Sequence, residues 1–366
     1  MKKEIKEILV IKLRYLGDVV LTTPVFESLR QLYPQASLTA LVNSGTEAML
    51  AENPNVDRIL VLERDKNPLA DLKKQFTLIA RLRKFRFDLA IELTNNDRGA
   101  TYSFLSGAKR RLGFRPKKIK PLDRHLLFTD LVVQKKGTHM VDRHMRMIEH
   151  LGHTPQSRSP RLFWKREEAQ KVEEILGRID LSEKDDFIVL HPILKAKYRA
   201  WRLDGYARLC DHLRDKFNIP TILVCGKSQD EIDFTNKITE MTESRPLNLG
   251  GKLSLRELVV LISKATLFIG IDSGPMHMAA AVNTPLVAIF GPQTRVTWGP
   301  YGEGHCVIQK DWDCVPCVRM GCNDSGRSRC LDELSTEEVT AAVDHAMNSL
   351  VMARNTKYET ELREQE

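Results

Sequence analysis

The pattern of this chain predicts two α/β domains, each a parallel sheet wound with helices on both faces. Three observations carry that reading. Short apolar runs alternate with segments of helical spacing along nearly the whole length. The 366 residues are 42% hydrophobic, which is enough for two cores of ordinary size. A stretch rich in proline and serine, Gly152 to Pro160, divides the alternating segments into two series. The expected domains are therefore 1–160 and 161–352, with a charged tail at 353–366. No repeat period is visible.

Ile8 to Leu13 reads as a buried strand, and Val19 to Leu32 as one helix with Val20, Val25, Leu29 and Leu32 at helical spacing. The turn between them, Arg14-Tyr15-Leu16-Gly17-Asp18, sets one glycine and then one carboxylate at the carboxyl edge of the sheet. It lacks the G-x-G-x-x-G of a dinucleotide fold, which argues against a dehydrogenase. Taken alone, Asp18 is as readily a helix N-cap as a chemical group. Leu38 to Val42, Arg58 to Leu62 and Phe87 to Leu93 are further strands, and Leu69 to Lys84 is an amphipathic helix with basic residues on its exposed face. Thr94 to Arg98 is a polar turn at the same sheet edge as Asp18. Lys109 to Lys120, basic and interrupted by proline and glycine, is too irregular for a helix and reads as a loop. His139 to Leu151 is a helix that closes the first domain.

In the second half a helix is expected near Glu167 to Leu176, and strands at Phe187 to Leu190 and Thr221 to Cys225. The loop from His191 to Trp201 carries Lys195, Lys197 and Arg199 ahead of an aromatic residue. Gly226 to Glu231 turns into a helix, and either Asp230 or Glu231 is placed to accept from ribose hydroxyls. Leu249 to Leu255 holds two glycines before a helix at Ser254 to Lys264. The most informative stretch is Thr266 to Thr294, TLFIGIDSGPMHMAAAVNTPLVAIFGPQT. Thr266 to Ile271 and Leu286 to Phe290 are buried strands with one short helix between them. Ser273 and Gly274 suit its cap, Pro275 its first position, and Asn283 and Pro285 its end. Unpaired N–H groups and the positive end of a helix dipole then lie at the carboxyl edge of a parallel sheet, a place that binds phosphate. Ser273 adds a hydroxyl, Gly274 allows close backbone approach, and His277 lies in the first turn. Asp272 ends the strand at the mouth of that site. Capping explains each residue singly but not the set. A helix from Ser335 to Leu350 is expected to pack back across the domains, and Lys357 to Glu366 to fray.

Asp-Ser-Gly-Pro-x-His followed by Phe-Gly-Pro resembles the donor motif of glycosyltransferase family 9, the heptosyltransferases, which often reads Asp-(Ser/Thr)-Gly-x-x-His. Gly17-Asp18-Val19-Val20-Leu21-Thr22-Thr23-Pro24 resembles the family's first turn, and Lys12-Leu13-Arg14 with Thr22-Thr23-Pro24 is most similar to the heptosyltransferase III branch. The resemblance spans Ile8 to about Leu350 and implies the GT-B fold, two Rossmann-like domains facing each other across a cleft. It implies transfer of heptose from ADP-heptose to the lipid A-Kdo/heptose inner core of lipopolysaccharide, in line and with inversion. Asp18 matches the catalytic carboxylate. The diphosphate falls to Asp272, Ser273, Gly274, His277 and Arg199. Arg199 stands where the family has lysine; it keeps the charge and grips phosphate with two hydrogen bonds, and Lys197 is the substitute. Asp230 or Glu231, with Leu253 and Leu255, would meet the nucleoside. Asn95 and Arg98 match the family's Asn-x-x-Arg loop at the acceptor, to which Lys12 and Arg14 are added.

The net charge of +8 suits an anionic partner. With the resemblance, that partner is phosphorylated core at the anionic inner leaflet rather than nucleic acid. Met1 to Lys6 is charged and no apolar run is long enough to span a bilayer, so the expected location is cytoplasmic and peripheral to the membrane. No cofactor is required, because a cation and a helix terminus can stabilise departing ADP. Among the seven cysteines, Cys314, Cys317, Cys322 and Cys330 cluster. The first pair has the C-x-x-C spacing of a metal knuckle, and four thiolates would complete a structural zinc site. The second pair lacks that tight spacing, so ordinary reduced thiols are the main expectation and a structural metal the alternative. Two rival readings stand beside the transferase: a nucleotide-sugar epimerase of similar architecture, and a non-catalytic basic binding module.

Overall fold

The computed structural model describes residues 4–116, 124–182, 184–193 and 195–363, with side chains as far as Met352. It divides into two compact units, Met1–Lys165 and Arg166–Glu366. In the first unit the strands are β1 (Glu7–Lys12), β2 (Ser37–Asn43), β3 (Arg58–Leu62), β4 (Leu89–Glu92), β5 (Arg110–Phe114) and β6 (Asp130–Val132). They pair in parallel in the order β3-β2-β1-β4-β5-β6. Its helices are α1 (Leu16–Val20), α2 (Thr23–Leu32), α3 (Pro68–Lys84), α4 (Asp97–Leu105) and α5 (Met140–His150). Strand β1 is apolar and buried from Ile8 to Ile11 because helices cover both faces of the sheet.

The second unit repeats this plan. Its strands are β7 (Ile188–His191), β8 (Thr221–Leu223), β9 (Leu247–Asn248), β10 (Leu267–Ile271), β11 (Leu286–Ile289) and β12 (His305–Ile308). All pair in parallel in the order β12-β11-β10-β7-β8-β9. The helices are α6 (Arg166–Gly177), α7 (Leu203–Phe217), α8 (Gln229–Met241), α9 (Leu255–Lys264), α10 (Gly274–Ala281), α11 (Arg295–Trp298), α12 (Arg329–Asp332) and α13 (Thr336–Arg363). Both units are Rossmann-like. In each, the chain reverses direction across the sheet beside its first strand, between β1 and β4 and between β7 and β10. At such a switch point the loops leaving the carboxyl ends diverge and open a crevice.

The structure departs from the expected elements where a polar or tertiary contact decides. The helix expected over Val19 to Leu32 is two, because Pro24 has no N–H to donate and the Thr22 and Thr23 hydroxyls bond back to the Val19 and Val20 carbonyls. Part of the basic loop at 109–120 is strand β5, paired with β4 and β6, and Arg110 is neutralised by Asp130 at 2.8 Å; residues 117–120 lie outside the described residues. The polar turn at Thr94 ends early, since Asp97 and Arg98 already belong to α4, whose N-cap Asn96 accepts from Gly99 N. The closing helix continues to Arg363 through most of the expected tail.

Gly99 shows how tightly α4 is seated. A Cβ at that position would lie 2.1 Å from Glu92 Oε1, and Glu92 cannot swing away because its carboxylate accepts from the Thr94 and Asn95 N–H groups. Gly99→Ala should therefore cost about 1–3 kcal/mol. Gly177→Ala, where an added Cβ meets nothing within 4 Å, should be neutral or stabilising by up to about 1 kcal/mol. Thermal melts of both variants check this, and a wild-type melt for Gly99→Ala would mean that Glu92 does not fix the loop.

Candidate active site

At the first switch point the side chains that count come from β1, β4, α1 and α5. Lys12 ends β1 and its side chain is only 4% exposed. Its ammonium lies 3.2 Å from Asp18 Oδ1, 3.1 Å from the Leu93 carbonyl oxygen and 3.1 Å from His144 Nε2. Three acceptors for three N–H donors leave it fully used. His144 Nδ1 is 3.0 Å from the Leu21 carbonyl, which needs a donor, so the proton sits on Nδ1 and Nε2 accepts from Lys12. Burial, seconded by Lys12, holds the His144 pKa well below its ordinary value, consistent with that neutral ring. Burial also lowers the Lys12 pKa, while Asp18 and Glu92 oppose the shift.

Asp18 does not cap α1. The N-cap is Tyr15, and Asp18 is the third helical residue, its partly accessible carboxylate turned to Lys12. Beside it the loop after β4 is pinned at several points. Leu13 N donates to Thr94 Oγ1 at 2.8 Å, Arg14 Nε to the Thr94 carbonyl at 3.4 Å, and Arg124 Nη2 to Asn95 Oδ1 at 2.9 Å. Asn95 adopts φ +57°, the left-handed region that asparagine tolerates. Glu92, the last residue of β4, is buried, and burial pushes its pKa up to about 7. Arg14 and Arg98 are exposed. Lys12, expected at the acceptor, is instead interior and supports Asp18. His144 was missed by the sequence reading, and its only signal there was a histidine on the apolar face of a helix with Val141, Met145 and Ile148.

The second switch point joins β7 and β10. Asp272 follows β10, and Arg199 Nη1 reaches both its carboxylate, at 3.1 Å, and its carbonyl, at 3.4 Å. Burial pushes the Asp272 pKa up to about 6 against the pull of Arg199. Ser273 is the N-cap of α10, as expected, with Pro275 in its first turn, but its side chain makes no capping hydrogen bond. Its hydroxyl instead lies 3.4 Å from Nδ1 of His191, which ends β7 and whose pKa burial lowers to about 4. His277 is buried in the first turn of α10. Arg199 is aimed by its neighbours: it ends a single 3₁₀ turn, Lys197–Arg199, and two residues on, buried Trp201 donates from Nε1 to the Leu334 carbonyl at 2.8 Å. Gly205 leaves room for the Trp201 ring, which an added Cβ would meet at 2.6 Å.

The other expected residues are partly gathered. Lys197 pairs with Asp230 at 3.0 Å, and both line a cavity of 440 Å³ with Trp201, Phe234 and Ser328. Glu231 is buried in the first turn of α8 against Gly226, so of the two acids Asp230 is the exposed one. Leu253 and Leu255 are half-buried at the start of α9 and outside that cavity. A second cavity, 360 Å³, lies at the amino edge of the sheet, beside Thr221 and Leu247, away from the α10 turn. All seven thiols are free, and among the described residues no three His, Cys, Asp or Glu side chains converge as a metal site. Of the four clustered cysteines, Cys330 is buried in α12, and Cys314, Cys317 and Cys322 are exposed.

A family model described as Glycosyltransferase family 9 (heptosyltransferase) matches residues 75–326. The chain is 31% identical over 297 residues to lipopolysaccharide heptosyltransferase 3 of Escherichia coli K12, covering 80% of this chain and 84% of that protein. Among solved structures it resembles a family 9 glycosyltransferase from Veillonella parvula, with TM-score 0.82, 23% identity and coverage of 95% and 99% of the two chains. It also resembles the ADP-heptose lipopolysaccharide heptosyltransferase II of E. coli, with TM-score 0.74, 24% identity and the same coverage. These structures share the expected fold, two Rossmann-like domains of the GT-B class.

The buried carboxyl of Asp272 gives stability a particular pH dependence. Its folded pKa, about 6, lies above the ordinary 3.8, so between those values the native protein holds a proton that the unfolded chain has lost. The contribution is complete below pH 3.8 and disappears as pH rises to about 6, a change of about 3 kcal/mol. Asp272→Asn has no such proton. Wild type should therefore lose stability relative to the variant across this window, and melting curves that keep a constant separation from pH 4 to 7 would contradict the burial-driven shift.

Proposed function

Because the chain belongs to glycosyltransferase family 9, the heptosyltransferases, we propose that it moves heptose from ADP-heptose to the inner core of lipopolysaccharide, with Asp18 as general base. The observation that carries the base assignment is the Lys12–Asp18 contact. The carboxylate is held at the carboxyl edge of β1 by a cation, partly accessible, and free of any capping duty. Family membership sets aside the epimerase and the basic binding module.

In the proposed reaction Asp18 takes the proton of an acceptor hydroxyl as that oxygen bonds to the anomeric carbon. The bond from that carbon to the diphosphate oxygen breaks on the opposite face, so the configuration inverts and ADP departs. The first turn of α10 meets the departing diphosphate. With Ser273 making no side-chain cap, its N–H groups are left for an external acceptor, and Gly274 lets the phosphate approach. Arg199 adds a guanidinium, shared between Asp272 and phosphate, and His277 lines the same turn. Since these groups supply the positive charge, the proposal needs no divalent metal. Asp230 beside Lys197 is the stronger candidate for the ribose, because Glu231 is buried. Leu253 and Leu255 remain the proposed base contacts. Arg14, Asn95 and Arg98 are proposed for the acceptor, and Lys12 leaves that set for the support of Asp18. The acceptor's lipid and the net charge of +8 favour work at the cytoplasmic face of the inner membrane; no helix among the described residues is long and apolar enough to cross it.

Two substitutions test the two halves separately. Asp18→Asn keeps an oxygen for Lys12 to donate to, so the protein should fold at a cost of about 1–3 kcal/mol. Turnover should nevertheless fall by roughly two to four orders of magnitude, with ADP-heptose affinity nearly unchanged in a calorimetric titration. A variant within tenfold of wild-type turnover would remove Asp18 from the base role. Arg199→Ala should weaken ADP binding about ten- to a hundredfold, the value of a charge-assisted hydrogen bond, while Arg199→Lys retains much of it. Equal affinities in all three proteins would shift the phosphate contact to Lys197.

A further inference from the structure

Helix α3 buries one stripe and exposes another. Leu78 and Leu82 are buried in the first unit's core with Leu60 and Phe87. Yet Leu69 is 78% exposed, Leu72 52% and Phe76 62%. At about 100° per residue these three fall on one line along the helix, roughly opposite Leu78 and Leu82. Lone exposed apolar side chains are ordinary. Three at i, i+3 and i+7 form the face that a helix lays into a partner or an interface. The helix is also preformed, because the Asn67 side chain caps it by accepting from Leu69 and Ala70 N–H.

The charges around the stripe say what covers it. From Glu63 to Arg86 the chain has eight Lys and Arg against three Asp and Glu. The acids are spent within the segment: Asp71 pairs with Arg64 at 3.2 Å, and Glu63 and Asp65 pair with Lys74 at 3.4 and 3.0 Å. Lys66, Lys73, Arg81, Lys84 and Arg86 have no acidic partner among the described residues. On the helix, Lys73 and Lys84 flank the apolar line on one side, and such a face is complementary to an anionic bilayer, where leucine and phenylalanine enter the acyl boundary and lysines meet lipid phosphates.

We propose that α3 is the membrane-docking element of this protein and sets Leu69, Leu72 and Phe76 into the surface of an anionic phospholipid bilayer. The inference rests on the proposed function only in that a lipid-borne acceptor gives the docking a purpose. It is tested without donor or acceptor, by co-sedimentation with vesicles of 30% phosphatidylglycerol in phosphatidylethanolamine and with pure phosphatidylcholine vesicles. Wild type should bind the anionic vesicles at least tenfold more tightly than the neutral ones and weaken several-fold in 0.5 M salt, on the order of what screening of a few surface charges gives. Leu72→Glu with Phe76→Glu should lose at least tenfold in vesicle binding while keeping the wild-type melting temperature, since both side chains point to solvent. It should also keep wild-type turnover on a delipidated, water-soluble core acceptor and lose it on acceptor embedded in vesicles. Undiminished vesicle binding by the double variant overturns the proposal. So does a wild type that ignores vesicles but self-associates through α3, becoming monomeric on the double substitution. A wild type that binds vesicles yet transfers nothing to either acceptor would refute the proposed function and leave the docking surface standing.

Discussion

The ammonium of Lys12 is the contact on which the first domain's site depends. It closes three elements at one point: the Leu93 carbonyl just past β4, His144 from α5 and Asp18 from α1. A buried cation with an unmet N–H would cost several kcal/mol, so each of these groups must stay in place for the others to be tolerated. The same contact therefore stabilises the domain and aims the carboxylate. It also explains why α1 is only one short turn. Thr22 and Thr23 end it at once, and the Leu21 carbonyl, freed at the break, accepts from His144.

The second domain solves a related problem with a half-buried cation and a buried acid. Arg199 reaches Asp272 from a loop anchored through Trp201 in the core, so its side chain is held beside the turn proposed for the diphosphate. Asp272, with its raised pKa, is a weak rival for that arginine at mildly acidic pH and a stronger one above it. Each site lies where the chain reverses direction across its sheet, next to β1 and next to β7. The duplicated plan thus places the Asp18 carboxylate in one unit and the turn proposed for phosphate in the other by the same topological rule.

Much of this was legible in the sequence. Strands buried on both faces announce themselves as apolar runs, and Ser273-Gly274-Pro275 marks a helix start by local chemistry alone. What the sequence hid depends on contacts between distant residues. Strand β5 reads as a charged loop because Arg110 looks solvated until Asp130, twenty residues away, is placed beside it. Lys12 looks like a surface lysine next to a binding turn, and only the packing of α5 shows that it is interior.

The neutral state of His144 matters to the chemistry proposed for Asp18. When a general base takes a proton, its attraction to a neighbouring cation largely vanishes, and a lysine whose only partner was that carboxylate would be left as an uncompensated buried charge at that moment. Lys12 keeps two further acceptors, the Leu93 carbonyl and His144 Nε2, whose interactions do not change when Asp18 is protonated. A protonated His144 would remove one of them and add a like charge. The bond from Nδ1 to the Leu21 carbonyl and the buried setting both act against that. A neutral His144 would thus limit how much the proposed proton transfer costs the residues around Asp18.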